Sequence, residues 1–115
     1  ARRRGDRPAA RGLYRQSLEH AHAIDNRREA ATALAGLAAV ADDPERALEL
    51  CACAEALLAS IGAAPDEDVR RTLDEVRGAS VVAAGPDAWE RAETAAASMS
   101  FADVVALALG QRVLA

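Results

Sequence analysis

The sequence predicts an all-α fold of antiparallel helical hairpins stacked side by side, on three observations. The first is composition: of the 115 residues 51% are hydrophobic but only 3% aromatic, and much of the apolar content is alanine. Alanine has the highest helix propensity, with leucine, arginine and glutamate just behind. The second is periodicity, since apolar residues recur at i, i+3 and i+4 and no segment alternates at period two for long enough to form a strand. The third is punctuation. Cap and turn residues divide the chain into helices of roughly 10 to 18 residues with turns too short for anything but antiparallel neighbours.

Each element follows from its own signals. Ala10, Leu13, Tyr14, Ser17, Leu18, Ala21 and Ile24 fit one helical face, and Pro8 suits a first turn, so helix one is expected from about Pro8 to Ile24. Asn26 is a good N-cap with Glu29 at capping-box spacing, and Leu34, Leu37, Ala38 and Ala41 make the stripe of helix two. Gly36 inside that stripe costs about 1 kcal/mol relative to alanine, which predicts the close passage of another backbone. Asp43 and Pro44 open helix three, whose stripe runs from Ala47 through Leu50, Cys51, Ala54 and Leu57 to Ile61 before Gly62 closes it as a left-handed residue.

Helix four opens at Pro65 or Asp66, where acidic residues suit the positive end of the dipole and Asp66–Arg70 and Glu67–Arg71 stand at i, i+4. Its Val69, Leu73 and Val76 are expected inward, with Gly78 weakening the later half. Gly85 and Pro86 restart the chain into helix five around Trp89 and Ala92. Ser100 with Asp103 caps helix six, whose apolar face is Phe101, Val104, Val105 and Ala108.

Charge is unevenly spread. The first fifteen residues carry a net +5 through six arginines and Asp6, so the remainder carries −9 of a total of −4. A basic end on an acidic body does not make the basic face that nucleic acid requires, and a helix-turn-helix in the acidic part would repel phosphates. Direct nucleic-acid binding is not expected, and the basic end reads as a solvated terminus. The longest uncharged apolar stretch, Ala30 to Ala41, is short of the roughly 20 residues a membrane span needs.

Lysine is absent, so no Schiff base, phosphate-clamping lysine or G-x-x-x-x-G-K-[ST] loop exists. His20 and His22 point about 200° apart around a helix and cannot share a metal; Cys51 and Cys53 have the same spacing. A cross-helix His–Cys pair would lack a third group, so the cysteines read as small core hydrophobes. With no disulfide framework a reducing cytoplasm is expected. The chain starts at Ala1 without an initiator methionine, which predicts a fragment or processed product.

The segment from Gly5 to Gly62 resembles tetratricopeptide repeats, in which small residues at the hairpin crossing and bulky ones between them recur every 34 residues. Ala10, Tyr14 and Ser17 match the repeat's second helix, Ala47, Cys51 and Ala54 repeat that spacing, and Leu34, Leu37 and Ala38 match its first helix. The stretches IGAAPDEDVRRTLDEV, GPDAWERA and MSFADVVALAL look like the helices that follow such repeats in actinobacterial multidomain regulators, the signal-transduction ATPases and LuxR-type or SARP-type activators. The sequence departs from the pattern at Ala41–Asp42–Asp43, a turn about three residues short and without glycine, and at Ala96, where glycine usually ends a helix.

The resemblance implies a short tetratricopeptide-like solenoid with extra C-terminal helices: a disordered basic terminus over 1–7, repeat-like helices over 8–62 and capping helices over 63–115. It implies a non-catalytic module that holds a protein or peptide partner, or other domains of a larger bacterial regulator, with no cofactor. Leu13, Tyr14 and Leu18 on helix one form a stripe that helix two covers only in part, so an interaction surface and self-association are expected there. The competing expectation is a free-standing bundle that binds a small apolar ligand near Trp89, Phe101 and Val104, although a lone tryptophan also suits a core plug.

Overall fold

The computed structural model describes residues 6–110, which form six α-helices: α1 Asp6–Ala23, α2 Arg27–Ala39, α3 Pro44–Ser60, α4 Glu67–Ala84, α5 Pro86–Ala97 and α6 Phe101–Ala108. The expected basic terminus lies, for residues 1–5, outside the described residues; α1 is already helical at Asp6, two residues before Pro8.

Local chemistry sets the boundaries. The α1–α2 turn is tight because Asn26 serves both helices. Its N–H donates to Ala21 O at 2.8 Å and the Asp25 N–H to His22 O at 3.1 Å, closing α1 around Asp25 in the left-handed region (φ 55°). The Asn26 side chain then accepts from the Glu29 N–H at 3.1 Å to start α2. Asp43 and Pro44 open α3 as expected, and Gly62 (φ 63°) closes it with bonds from Gly62 N–H to Ala59 O and Ala63 N–H to Leu58 O. Ser100 and Asp103 make a complete capping box on α6, at 3.0 and 3.1 Å. Asp66 caps α4 without a side-chain bond and reaches Arg28 of α2 (3.8 Å) rather than the expected Arg70.

The core centres on α3, which packs against α2, α4, α5 and α6. Its buried positions include the fully enclosed Leu48, Cys51 and Ala54. Small residues dominate the α2–α3 contact, with Ala30, Ala31, Ala38, Ala52 and Ala54 buried, so the helices approach closely and the lack of aromatics costs little packing. From α1 to α5 neighbouring helices pack in sequence, α2 also meets α4, and α3 meets α5; α6 then returns to pack against α1, α2 and α3. The described chain measures 32 × 32 × 31 Å. No helix among the described residues is long and apolar enough to cross a membrane.

Arginines fasten α6 in place. Arg46 of α3 donates through Nη2 to the carbonyls of Leu107 (2.6 Å) and Ala108 (3.2 Å), and Arg15 of α1 donates to Leu109 O (2.9 Å). The last carbonyls of a helix have no intrahelical partner and carry partial negative charge, so two guanidinium groups are matched to them.

Candidate functional site

An open groove of about 330 Å³ runs between α1, α2 and α4. Its floor is the outer face of α2, where Thr32, Ala35, Gly36 and Ala39 keep the surface low; Tyr14 forms one wall, and Val69 and Thr72 of α4 the other. The absence of a side chain at Gly36 leaves room for the Tyr14 ring to pack onto α2. A β-carbon built there would lie 2.6 Å from Cδ1 and Cζ of the Tyr14 ring, well inside van der Waals contact. The close approach that Gly36 predicted is therefore made by an aromatic ring and not by a backbone.

A second groove of about 320 Å³, lined by Ser17, His20 and Glu29 among others, shares Tyr14 and Thr32 with the first. The two grooves adjoin at Tyr14 and Thr32, and both are lined mostly by apolar surface.

The three residues expected to form an interaction surface are placed differently. Leu18 is fully buried, Tyr14 is half-buried against the core, and Leu13 is 64% exposed. Five residues along a helix turn about 140°, so Leu13 cannot share the face of Leu18, whereas Tyr14, four residues away, is only about 40° from it. Of the three, Tyr14 alone lines the groove. The missed residues are those of α4, and the available signal was the pair of small residues, Ala35 and Ala39, flanking Gly36.

The residues of the competing ligand expectation are separated by their partners. Phe101 is buried, meets the His22 ring edge-on at 5.0 Å and lies under Arg27 at 5.4 Å. Trp89 is half-buried on α5 and stacks with Arg77 of α4 at 5.4 Å. Val104 is 1% exposed.

His20 stands on the groove between α1 and α2, and both cysteines are inside the core. Burial pushes the Cys51 thiol up to about 12, with Glu55 adding to the effect, and pushes Cys53 up to about 11, with Glu49 adding. Such thiols are poor nucleophiles and poor ligands. Among the described residues no group of three or more His, Cys, Asp or Glu side chains is placed to hold a metal ion.

A charged pocket of about 270 Å³ lies between α3 and α4. Arg77 bridges Glu55 of α3 (3.2 Å) and Asp74 of its own helix (3.0 Å). Glu55 has a raised proton affinity, chiefly through burial, with Arg77 opposing the shift and Glu93 and Asp74 adding to it. Comparison with known proteins finds no matching family model, no matching curated protein and no matching solved structure.

Proposed function

We propose that this chain is a non-catalytic protein–protein interaction module, a set of tetratricopeptide-like hairpins that holds a peptide segment of a partner, or of another domain of a larger bacterial regulator, along α2. The observation that carries the reading is the groove between α1, α2 and α4, with its small-residue floor, apolar flanks and single aromatic wall at Tyr14. Extended or helical peptides bind grooves of this kind by seating a few apolar side chains in order. The packing of consecutive helices from α1 to α5, with α2 on α4 and α3 on α5, is compatible with stacked hairpins, and the sequence likeness to tetratricopeptide regions of actinobacterial ATPases and LuxR-type or SARP-type activators supports the regulatory setting.

The test is selection of displayed random peptides on the whole chain, followed by binding to variants that fill the groove. Ala39→Arg and Thr72→Arg both place a long side chain over the floor without touching the core. Selected peptides are expected to lose at least about tenfold in affinity to either variant. Failure to enrich any peptide, or equal binding by both variants, overturns the reading.

Self-association through α1 belongs to the same proposal, carried now by the exposed Leu13 (64%) and Ile24 (53%). Light scattering at rising concentration is expected to show a dimer that Leu13→Glu removes; a monomer throughout would end it.

A further inference from the structure

We propose that the pocket between α3 and α4 binds a small zwitterion with an apolar side chain, an aliphatic α-amino acid, its ammonium held by Glu55 and Asp74 and its carboxylate by Arg70. This does not rest on the peptide groove, which uses a different face of α4.

The pocket carries three kinds of surface that match such a ligand. Leu58, Ala63, Pro65 and Leu73 supply an apolar wall. Glu55 and Asp74 line the same space and share one cation, Arg77, whose guanidinium also stacks on Trp89 and is thereby fixed in place. Two carboxylates on a single guanidinium leave acceptor capacity over, because each ionised carboxylate has about four lone-pair sites.

Arg70 lines the pocket too; its backbone N–H bonds to Asp66 O, and among the described residues its guanidinium has no hydrogen bond or short ion pair, although it lies near enough to Glu55 to act on its titration. Its five N–H donors suit a carboxylate bidentately. The pocket is about 270 Å³ in volume, close to the lower end of the range of small-molecule sites.

A ligand with both charges is favoured over one with either alone. An amine would leave the donors of Arg70 unused, and a fatty carboxylate would face Glu55 and Asp74. The raised proton affinity of Glu55 points the same way, since a carboxylate that is half-buried and flanked by Glu93 and Asp74 gains from an incoming ammonium.

The experiment is a ¹H–¹⁵N NMR titration of the whole chain with three probes: L-leucine, 3-methylbutylamine, which lacks the carboxylate, and 4-methylpentanoate, which lacks the ammonium. L-Leucine is expected to shift the amides of Leu58, Ala63, Leu73 and Arg77 saturably. The amine should bind about tenfold more weakly and the acid not measurably. Arg70→Ala should weaken leucine to the level of the amine while leaving the amine within about twofold, and Glu55→Gln should weaken both by about tenfold or more.

Both variants alter solvent-accessible side chains, and the three probes on the unaltered chain decide the matter even if one variant misfolds. No saturable shift with leucine up to about 20 mM, equal binding of leucine and the acid, or unchanged leucine binding by both folded variants would each overturn the assignment.

Discussion

The ring of Tyr14 occupies the space where a side chain at Gly36 would stand. That contact joins α1 to α2 and shapes the groove. It also makes two interior helix glycines behave oppositely. Gly36→Ala gains about 1 kcal/mol of helix propensity but drives a methyl group into a packed ring, at a cost of about 1 to 3 kcal/mol. A net loss of ~1 kcal/mol is expected. Gly78 on α4 has nothing within 4 Å of its would-be β-carbon, so Gly78→Ala should stabilise by up to about 1 kcal/mol. Thermal melts of the two variants check the signs. In a Tyr14→Ala background the cost of Gly36→Ala should vanish; persistence of the loss there would show that the ring is not its cause.

Asp25 is the one described non-glycine residue with a positive φ, 55°. It closes α1 where the dipole is negative, so both its backbone and its charge are unfavourable. Asp25→Gly is expected to raise stability by about 0.5 to 1 kcal/mol, read by chemical denaturation at unchanged m-value. A decrease would mean that the Asp25 side chain makes a stabilising contact that outweighs the strain.

The helices were legible because their boundaries are set locally. Asn26, Asp43–Pro44, Gly62, Gly85–Pro86 and Ser100–Asp103 each act on backbone groups within a few residues, and all five end or begin an element as their chemistry requires. What could not be read depends on residues distant in the chain. Asp66 reaches Arg28 instead of Arg70, and Arg15 meets Leu109 across nearly the whole chain. Leu13 and Leu18 looked equivalent as apolar letters, yet only the rotation between them decides that one is bare and the other enclosed. Tyr14 and Gly36 each stood out in the sequence, but their meeting is a property of the α1–α2 packing.

Arg46 is a structural clasp for α6. Its Nη2 bonds to Leu107 O and Ala108 O are charge-assisted, and hydrogen bonds to charged groups contribute about 1.5 to 3 kcal/mol each when part-buried partners are left unmatched. An eight-residue helix has little intrinsic stability of its own. Arg46→Ala should therefore speed hydrogen exchange in α6 selectively, with amides of α2 and α3 much less affected. Uniform acceleration along the chain would show a general loss of stability instead of release of α6.

The two thiols give a chemical measure of core integrity. With burial raising Cys51 from 9.0 to about 12 and Cys53 from 9.0 to about 11, the thiolate fraction at pH 8 falls about 10³-fold and 10²-fold. A disulfide reagent should label neither thiol in the native protein and both in denaturant. The linkage has a definite sign: folded-state values above the unfolded value stabilise fully below pH 9.0 and lose that contribution as pH rises through the folded values. Melting temperature should thus fall above pH 9, and less steeply in a Cys51→Ala variant. Parallel alkaline curves for the variant and the parent would exclude the Cys51 thiol as a source of the decline.

Glu55 separates two physical accounts of one ion pair. If its bond to Arg77 at 3.2 Å dominated, Glu55→Gln would lower stability at neutral pH. Burial, however, is the leading influence on Glu55 and outweighs Arg77, so its proton affinity is raised above the ordinary value of 4.5. The folded state then favours the protonated carboxyl, and the stabilisation is complete below pH 4.5 and lost as pH rises through the raised value. Glutamine mimics the protonated form. The variant should match the parent in melting temperature at pH 4 and exceed it at pH 7, by a small margin because the pair is more than one-third exposed on both sides. A variant less stable than the parent at pH 7 would show that the salt bridge, and not the cost of burying its carboxylate, governs the α3–α4 contact.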